Sequence, residues 1–161
     1  MSREYTLGAA GQTILGATTL IGIHPGTTCA IEILRMWIAQ SQNATSAQQR
    51  IQFVRQVTVF PTLVSATPAK LKEGDPISQI VGGTAGAAGT CGVNASAEGA
   101  GGKTVIFEDA FNVLNGYLWV PTPGETLILS PASANIFSMF FPVAPANLAN
   151  WTFGMNFREI G

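Results

Sequence analysis

The C-terminal segment alternates at every position between large apolar side chains and small or polar ones. The large apolar residues are Trp151, Phe153, Met155 and Phe157. The residues between and after them are Thr152, Gly154, Asn156 and Arg158. Successive side chains of a β-strand point to opposite faces, so a period of two predicts a strand with one buried face. That face needs a second layer to cover it, which predicts a packed β protein.

Glycine and proline interrupt the remaining apolar runs at short intervals. All nine prolines lie at or near the edge of such a run, where a missing N–H removes no bond from a central ladder. Short β-rich runs are TTLIGIH (18–24), KTVIFED (103–109) and ETLILS (125–130). We therefore predict an all-β protein with a single domain over residues 1–161. Its fold class is an antiparallel β-sandwich of about eight strands, which is jelly-roll-like.

Residues 30–56 fit either strands or a helical hairpin. In AIEILRMWIAQ (30–40), Ile31, Leu34 and Ile38 match a helix face, whereas Ile31, Ile33 and Trp37 match a strand face. SAQQRIQFVRQ (46–56) starts like a helix cap but then alternates apolar and polar residues. We expect strands, because the rest of the chain is β-rich and the linker SQNATS (41–46) is turn-like. The helical hairpin remains the alternative.

Two glycine-containing segments are expected to be turns or loops. Asn115-Gly116 stands between two apolar runs and is a strong hairpin signal. Residues 82–102 are rich in Gly and Ala and have few side chains that could be buried. We expect 82–102 to form a long loop within the one domain, mobile in the isolated protein.

Charged residues are scarce in this chain. Eight Lys or Arg and nine Asp or Glu make up 11% of the residues, against about 25% in typical soluble domains. A folded chain of this mass exposes roughly 7,700 Å², or one charge per ~450 Å², which is close to the largest apolar patch of a typical monomer. This scarcity predicts that much of the surface contacts other protein.

The same composition argues against other classes of partner. The net charge is −1 and the basic residues are scattered, so we expect no nucleic-acid partner. No apolar run is long enough to cross a bilayer, so we expect no membrane partner. The first residues lack the apolar stretch of a signal peptide, which suggests synthesis in a reducing cytoplasm without export.

No set of residues in the sequence matches a catalytic constellation. Gly101-Gly102-Lys103-Thr104 lacks the earlier glycine and the following helix of a phosphate loop. His24, the single histidine, precedes Pro25-Gly26 at a strand end and is expected to be exposed or to lie at an edge. Glu108 and Asp109 are neighbours whose side chains should point to opposite faces. We therefore expect no enzyme, no cofactor and no metal site. Cys29 and Cys91 are expected to be buried free thiols, with a disulfide as the alternative.

Aromatic and apolar side chains outside the C-terminal stripe supply candidate interface residues. Tyr117 and Trp119 are two positions apart and so share one face of a strand. The strand ANIFSMFFPV (134–143) is apolar on both faces, so one face is available for a partner. The predicted interface residues are Tyr117, Trp119, Phe137, Met139 and Phe141. An alternative use of the Tyr117–Trp119 pair is stacking on a sugar.

Several of these features together resemble the small cement or decoration proteins of tailed-bacteriophage capsids. They are the β pattern, the few charges, the Gly/Ala segment, the aromatic C-terminal strands, and the segments SAQQRIQFVR and FNVLNGYLWVPTP. The resemblance implies a jelly-roll-like sandwich on the capsid exterior of the virion. It also implies a homo-oligomer, most simply a trimer, that bridges subunits of the major capsid protein. The alternative function is a carbohydrate-binding module or a receptor-binding protein of the phage surface.

Overall fold

The computed structural model describes residues 3–42, 45–84, 86–131 and 134–161, which form thirteen β-strands and no helix. The first seven strands are β1 (Arg3–Gln12), β2 (Thr18–Ile23), β3 (Ala30–Gln40), β4 (Gln48–Val57), β5 (Thr62–Ser65), β6 (Ala69–Lys70) and β7 (Val81–Gly82). The other six are β8 (Thr90–Ala97), β9 (Lys103–Asn112), β10 (Tyr117–Trp119), β11 (Leu127–Leu129), β12 (Asn135–Phe141) and β13 (Trp151–Ile160).

The strands form two sheets that pack face to face. Sheet A has the order β10-β3-β13-β1-β6, and β11 pairs with β3 beside β10. Sheet B has the order β5-β8-β2-β12-β4-β9, and β7 pairs with β8. The pairings are antiparallel apart from the short β7–β8 contact. The prediction of an antiparallel β-sandwich is confirmed.

The strand order is that of a jelly roll with one insertion. From β1 to β4 the chain changes sheet at every connection: β1 and β3 lie in sheet A with β13, and β2 and β4 lie in sheet B with β9 and β12. The first strand pairs with the last along nearly its whole length, from Arg3↔Glu159 to Gln12↔Trp151. If β10 and β11 together fill one place beside β3, eight places result, as in a jelly roll. In the insertion β5–β8, the strands β5, β7 and β8 extend sheet B beyond β2, and β6 pairs with β1 at the end of sheet A.

The C-terminal stripe forms part of the core, as its period of two predicts. Trp151, Phe153, Met155 and Phe157 are buried to 1% exposure or less and face sheet B. The Trp151 indole contacts the Phe111 and Phe141 rings edge-on, with centroids 6.4 and 5.1 Å away. Its Nε1 donates to the carbonyl oxygen of Asn147 at 2.9 Å, so the polar end of the indole is also satisfied.

The ambiguous segment 30–56 forms the strands β3 and β4, so the expectation of strands is confirmed. The register of β3 against β13 pairs Arg35 with Asn156 but Ile33 with Phe157, which leaves Leu34 as a bulged residue. A bulge adds one residue to the alternation of inward and outward side chains. The intervals between successive buried residues of β3 are therefore two, three and two positions. These mixed intervals resemble those between residues on one face of a helix. Positions 43 and 44 of the linker lie outside the described residues.

The hairpin predicted at Asn115-Gly116 is wrong. The strand before it, β9, pairs with β4 in sheet B, whereas the strand after it, β10, pairs with β3 in sheet A. The turn therefore carries the chain from one sheet to the other. Gly116 has a φ of 67°, and the Asn115 N–H donates to the Asn112 carbonyl at 3.0 Å. The local turn chemistry is as expected, but tertiary packing separates the two strands.

The expectation of a long loop over residues 82–102 also needs correction. The middle of this segment is β8, an eight-residue strand between β5 and β2 in sheet B. Its glycines allow close approach of other groups. A Cβ atom at Gly92 would lie 2.6 Å from the Leu63 Cβ and 2.7 Å from the Val64 carbonyl oxygen. Position 85 lies outside the described residues.

We expect Gly92→Ala to lower the free energy of unfolding by about 1–3 kcal/mol, the usual cost of overpacking. The added methyl group meets backbone and a Cβ, neither of which can swing away. Gly74→Ala is the matched control, because a Cβ there has no neighbour within 4 Å and its effect should be below ~0.5 kcal/mol. Urea unfolding of both variants measures the difference. Equal midpoints for the two variants would show that β8 is not tightly packed.

Candidate interaction surface

Both sheets end on the same side of the sandwich. The last strand of sheet B is β9, which among the described strands pairs with β4 alone. On the facing side, β10 and β11 are the last strands of sheet A. β9 is ten residues long and presents one side of its backbone to solvent. Such an edge is a template for pairing with another chain unless it is covered.

A groove runs between the two sheet ends and is mostly apolar. We call it the edge groove, and it is lined by Ile106, Phe107, Trp119, Val120, Pro121, Thr122, Glu125 and Leu127. Glu125 is the single charged group of that lining, and its carboxylate accepts a hydrogen bond from the Thr122 hydroxyl. The groove is therefore suited to an apolar partner surface.

The floor of the edge groove is a cluster of aromatic rings joined to the core. The Phe53 ring stacks on Phe107 with centroids 5.2 Å apart and meets the edge of Trp119 at the same distance. Phe53 is fully buried, whereas Phe107 and Trp119 are half-buried. Because the rings support one another, the floor is held in place by the packing of the sandwich.

The rim of the edge groove exposes large apolar side chains from β9 and from β10 with the residue that follows it. Val120 is 58% exposed and Leu118 is 63% exposed, the latter on the outer face of sheet A. Ile106 is the bulged residue of β9, because Phe53 pairs with Phe107 and Val54 with Val105. The bulge turns its side chain outward, a common role for bulges at sheet edges.

Two of the predicted interface residues line this side of the molecule. Tyr117 and Trp119 share one face of β10, as predicted, and that face is the inner one. Tyr117 stacks beside Phe111 with centroids 5.5 Å apart, and its hydroxyl donates to the Asp109 carboxylate at 3.3 Å. Burial and then the Asp109 charge raise the pKa of Tyr117 to about 12. Tyr117 is thus a support for the edge, whereas Trp119 is part of the groove itself.

The other three predicted interface residues are in the core, so that prediction is wrong. Phe137, Met139 and Phe141 are at most 1% exposed and face sheet A. Their strand, β12, lies between β2 and β4 in the middle of sheet B. The opposite face of β12 is partly covered from within the chain. For example, the Lys103 ammonium lies 3.8 Å from the centre of the Phe140 ring.

The residues considered for catalysis each have a separate structural partner. His24 is buried, contrary to the expected exposed or edge position, because the Phe60 ring and the segment around Gly86 cover it. Its Nδ1 lies 2.5 Å from the Gly86 carbonyl oxygen. The Lys103 ammonium pairs with the Glu98 carboxylate at 2.6 Å. Hydrogen bonds from Arg50 and Gln52 lower the pKa of Glu108, which is otherwise a solvent-exposed carboxyl.

The candidate metal ligands and the two cysteines are dispersed in the part of the chain that the structure describes. Within the described ranges, no group of three or more His, Cys, Asp or Glu side chains is placed to hold a metal ion. Cys29 and Cys91 are buried free thiols, which confirms that prediction. Burial raises the pKa of Cys91 to about 12, so this thiol stays protonated at physiological pH.

Sequence reasoning missed the exposed residues of the groove. Ile106 and Val120 lie in apolar runs that look like core, and only the pairing of their strands places them at an edge. The sequence around Ile106 gives no indication of the register shift at that residue. The scarcity of charged residues indicated that an apolar surface exists, but it does not show where on the chain that surface lies.

Comparison of the chain with protein-family models, with curated proteins and with solved structures finds no match. No helix long and apolar enough to cross a bilayer occurs in the part of the chain that the structure describes.

Proposed function

We propose that this chain is a non-enzymatic structural protein of a bacteriophage virion, a cement or decoration protein on the capsid exterior. In this proposal it assembles as a homotrimer through the edge groove and bridges subunits of the major capsid protein. The observation that carries the proposal is the edge groove itself. The two sheet ends meet on one side of the sandwich around an apolar groove with an aromatic floor, and among the described strands β9 pairs with β4 alone.

The surface area of the chain is consistent with such assembly. The isolated chain exposes 7384 Å². A trimer removes two patches per subunit, each of about 800 Å² for an interface of ordinary size, which is about a fifth of that surface. One patch covers the edge groove of a subunit, and the other is the complementary surface that fills its neighbour's groove. Such a head-to-tail contact closes into a ring when the rotation fits.

Further exposed apolar residues support a second contact, with the shell. Leu15 is 78% exposed and Ile77 is 80% exposed, and neither lines the edge groove. The chain also has too few charges to cover the remaining surface. The jelly-roll strand order is widespread among viral capsid proteins, although it also occurs in lectins. The resemblance to decoration proteins adds the location on the capsid exterior.

The structure gives no support to the alternative in which Tyr117 and Trp119 stack on a sugar. Both rings point to the inner face of β10, and the Tyr117 ring is covered by Phe111. A sugar would reach no more than the edge of Trp119 at the floor of the groove. We therefore keep the structural role as the proposed function.

Shell binding tests this function directly. We expect the purified protein to co-sediment with assembled shells of the major capsid protein from the same phage, up to a saturating ratio. Because the proposed contacts are mainly apolar, raising the salt concentration to about 1 M should weaken binding only slightly.

Assembled shells of an unrelated phage serve as the control. Protein that remains in the supernatant with its own shells, or that sediments equally with both, would exclude the cement role. Neither result would bear on self-assembly, which is measured separately.

A further inference from the structure

The surface that fills a neighbour's edge groove must lie elsewhere on the same chain, because a head-to-tail ring joins two different patches of each subunit. The edge groove lies at the end of sheet A that β10 and β11 form, and the opposite end of that sheet is β6. Among the described strands, β6 pairs with β1 alone. The β6 end is therefore available to the next subunit in a ring.

One exposed apolar residue beside β6 has charged neighbours that complement the groove. Leu71 directly follows β6 and is 43% exposed. Of the exposed large apolar residues that the structure describes, it alone has a basic residue on each side, Lys70 and Lys72. The lining of the edge groove is mostly apolar, and its single charged group is the Glu125 carboxylate. An apolar side chain between two ammonium groups complements such a lining in both respects.

The backbone around Leu71 is held in place by β1. The Leu71 N–H donates to the Glu4 carbonyl oxygen at 3.0 Å, and the Asp75 N–H donates to the Lys72 carbonyl oxygen at 3.1 Å. The Asp75 carboxylate in turn accepts from the Glu4 N–H at 3.3 Å. Because these bonds fix the segment in the free chain, little conformational entropy remains to be lost when it binds a partner.

The basic groups beside Leu71 are able to change partner at small cost. The Lys72 ammonium lies 3.7 Å from the Glu4 carboxylate, which also pairs with Arg158 at 3.1 Å. Exposed pairs of this kind contribute little to stability, and Glu4 keeps a cation if Lys72 turns to another carboxylate. Glu73 is at the centre of the following turn, farther along the chain from Leu71 than either lysine.

We propose that Lys70, Leu71 and Lys72 of one subunit fill the edge groove of the next subunit. We call these three residues the Leu71 plug. Leu71 packs against Val120 and the aromatic floor, and an ammonium group of the plug pairs with Glu125. This inference rests on the proposed assembly through the edge groove and adds the surface that fills it. The ion pair sets the orientation of the contact, whereas apolar burial supplies most of its affinity.

Other exposed apolar residues fit the edge groove less well. Ile77 is two positions from Asp75, which has the same charge as Glu125. Leu15 has no Asp, Glu, Lys or Arg within ten positions on either side. Val105 lies on β9, on the side of the molecule that carries the groove itself. Ile77 and Leu15 thus remain for the proposed contact with the shell.

A mixture of two single variants tests this head-to-tail contact. Leu71→Asp removes the plug and keeps the groove, whereas Val120→Asp alters the groove and keeps the plug. Each change should weaken the contact by more than about 100-fold, so each variant alone should be a monomer. The mixture should form a heterodimer with twice the mass of the 16.8 kDa chain. One intact groove then accepts one intact plug, but the ring does not close. Native mass spectrometry with one variant isotope-labelled measures this mass.

Ile77→Asp is the matched control for the plug. Ile77 belongs to the same segment and is more exposed than Leu71, at 80% against 43%, but it lies outside the plug. The same kind of substitution there should leave the proposed trimer intact. Circular dichroism of the variants should match that of the wild-type protein, which separates lost assembly from lost folding.

Charge reversal gives a second test that leaves the apolar packing unchanged. Glu125→Lys should weaken assembly by about fivefold, because the lysines of the plug then meet a like charge. Adding Lys70→Glu and Lys72→Glu to the same chain should restore wild-type assembly. Sedimentation velocity over a range of concentrations measures both effects.

Two results would contradict the Leu71 plug and leave the edge groove in place. One is a Leu71→Asp variant that stays trimeric while Val120→Asp is monomeric. The other is a mixture of the two variants that stays monomeric. A wild-type protein that is itself monomeric would instead contradict self-assembly and, with it, the plug. Binding to shells is measured separately, so its failure would be distinguishable from either outcome.

Discussion

Val120→Asp is expected to dissociate the proposed trimer into monomers. The new carboxylate would lie on the rim of the edge groove, whose lining holds Glu125 and no cation. Burying a charge without a partner costs about 3–5 kcal/mol. Each contact should therefore weaken by more than about 100-fold. Size-exclusion chromatography with light scattering measures the change in mass.

Val64→Asp is the matched control for this experiment. Val64 is 54% exposed, close to the 58% of Val120, and it lies on β5 at the opposite end of sheet B. The same change of side chain there should leave the trimer intact. Dissociation by Val64→Asp but not by Val120→Asp would place the interface at the β5 edge and contradict the role of the edge groove.

Trp151→Ala is expected to lower the free energy of unfolding by about 3–5 kcal/mol. The substitution empties a site at the centre of the core, where the indole contacts Phe111 and Phe141. It also leaves the Asn147 carbonyl oxygen without its indole donor. Chemical denaturation followed by circular dichroism measures the loss. A variant too unstable to fold would meet the expectation as well.

The adjacent residue provides the control for the core. Thr152 follows Trp151 but points to the outer face of sheet A, so Thr152→Ala should change stability by less than ~0.5 kcal/mol. If the two variants were equally stable, the inward and outward faces of β13 would be wrongly assigned.

The fold class was predictable because the alternation of inward and outward side chains in β13 is regular along the strand. Its inward residues alternate without a break, since the bulge opposite Asn156 and Phe157 lies in β3 and not in β13. The extra residue in β3 is Leu34, and it made a helix look plausible there. Local periodicity therefore identifies regular strands, while bulges hide others.

The Gly/Ala segment shows a different limit of sequence reasoning. Few side chains suggested a mobile loop, but glycine also permits backbone to pack directly on backbone. Gly92 faces Leu63 and Val64, which lie almost thirty residues earlier in the chain. This requirement depends on a distant strand, so composition alone could not reveal it.

The candidate interface was predicted only in part. The alternation of Tyr117 and Trp119 gave their common face correctly, but the chain crosses between sheets at Asn115-Gly116, and this turns that face inward. For Phe137, Met139 and Phe141, the apolar face that was assigned to a partner is the core face. Which of two apolar faces is buried depends on the position of the strand in the sheet, which the sequence does not encode locally.

Self-assembly is the central claim, and sedimentation velocity of the purified wild-type protein over a wide concentration range tests it most directly. We expect a species with three times the mass of the 16.8 kDa chain, stable as salt is raised. A single 16.8 kDa species at every concentration would contradict assembly through the edge groove.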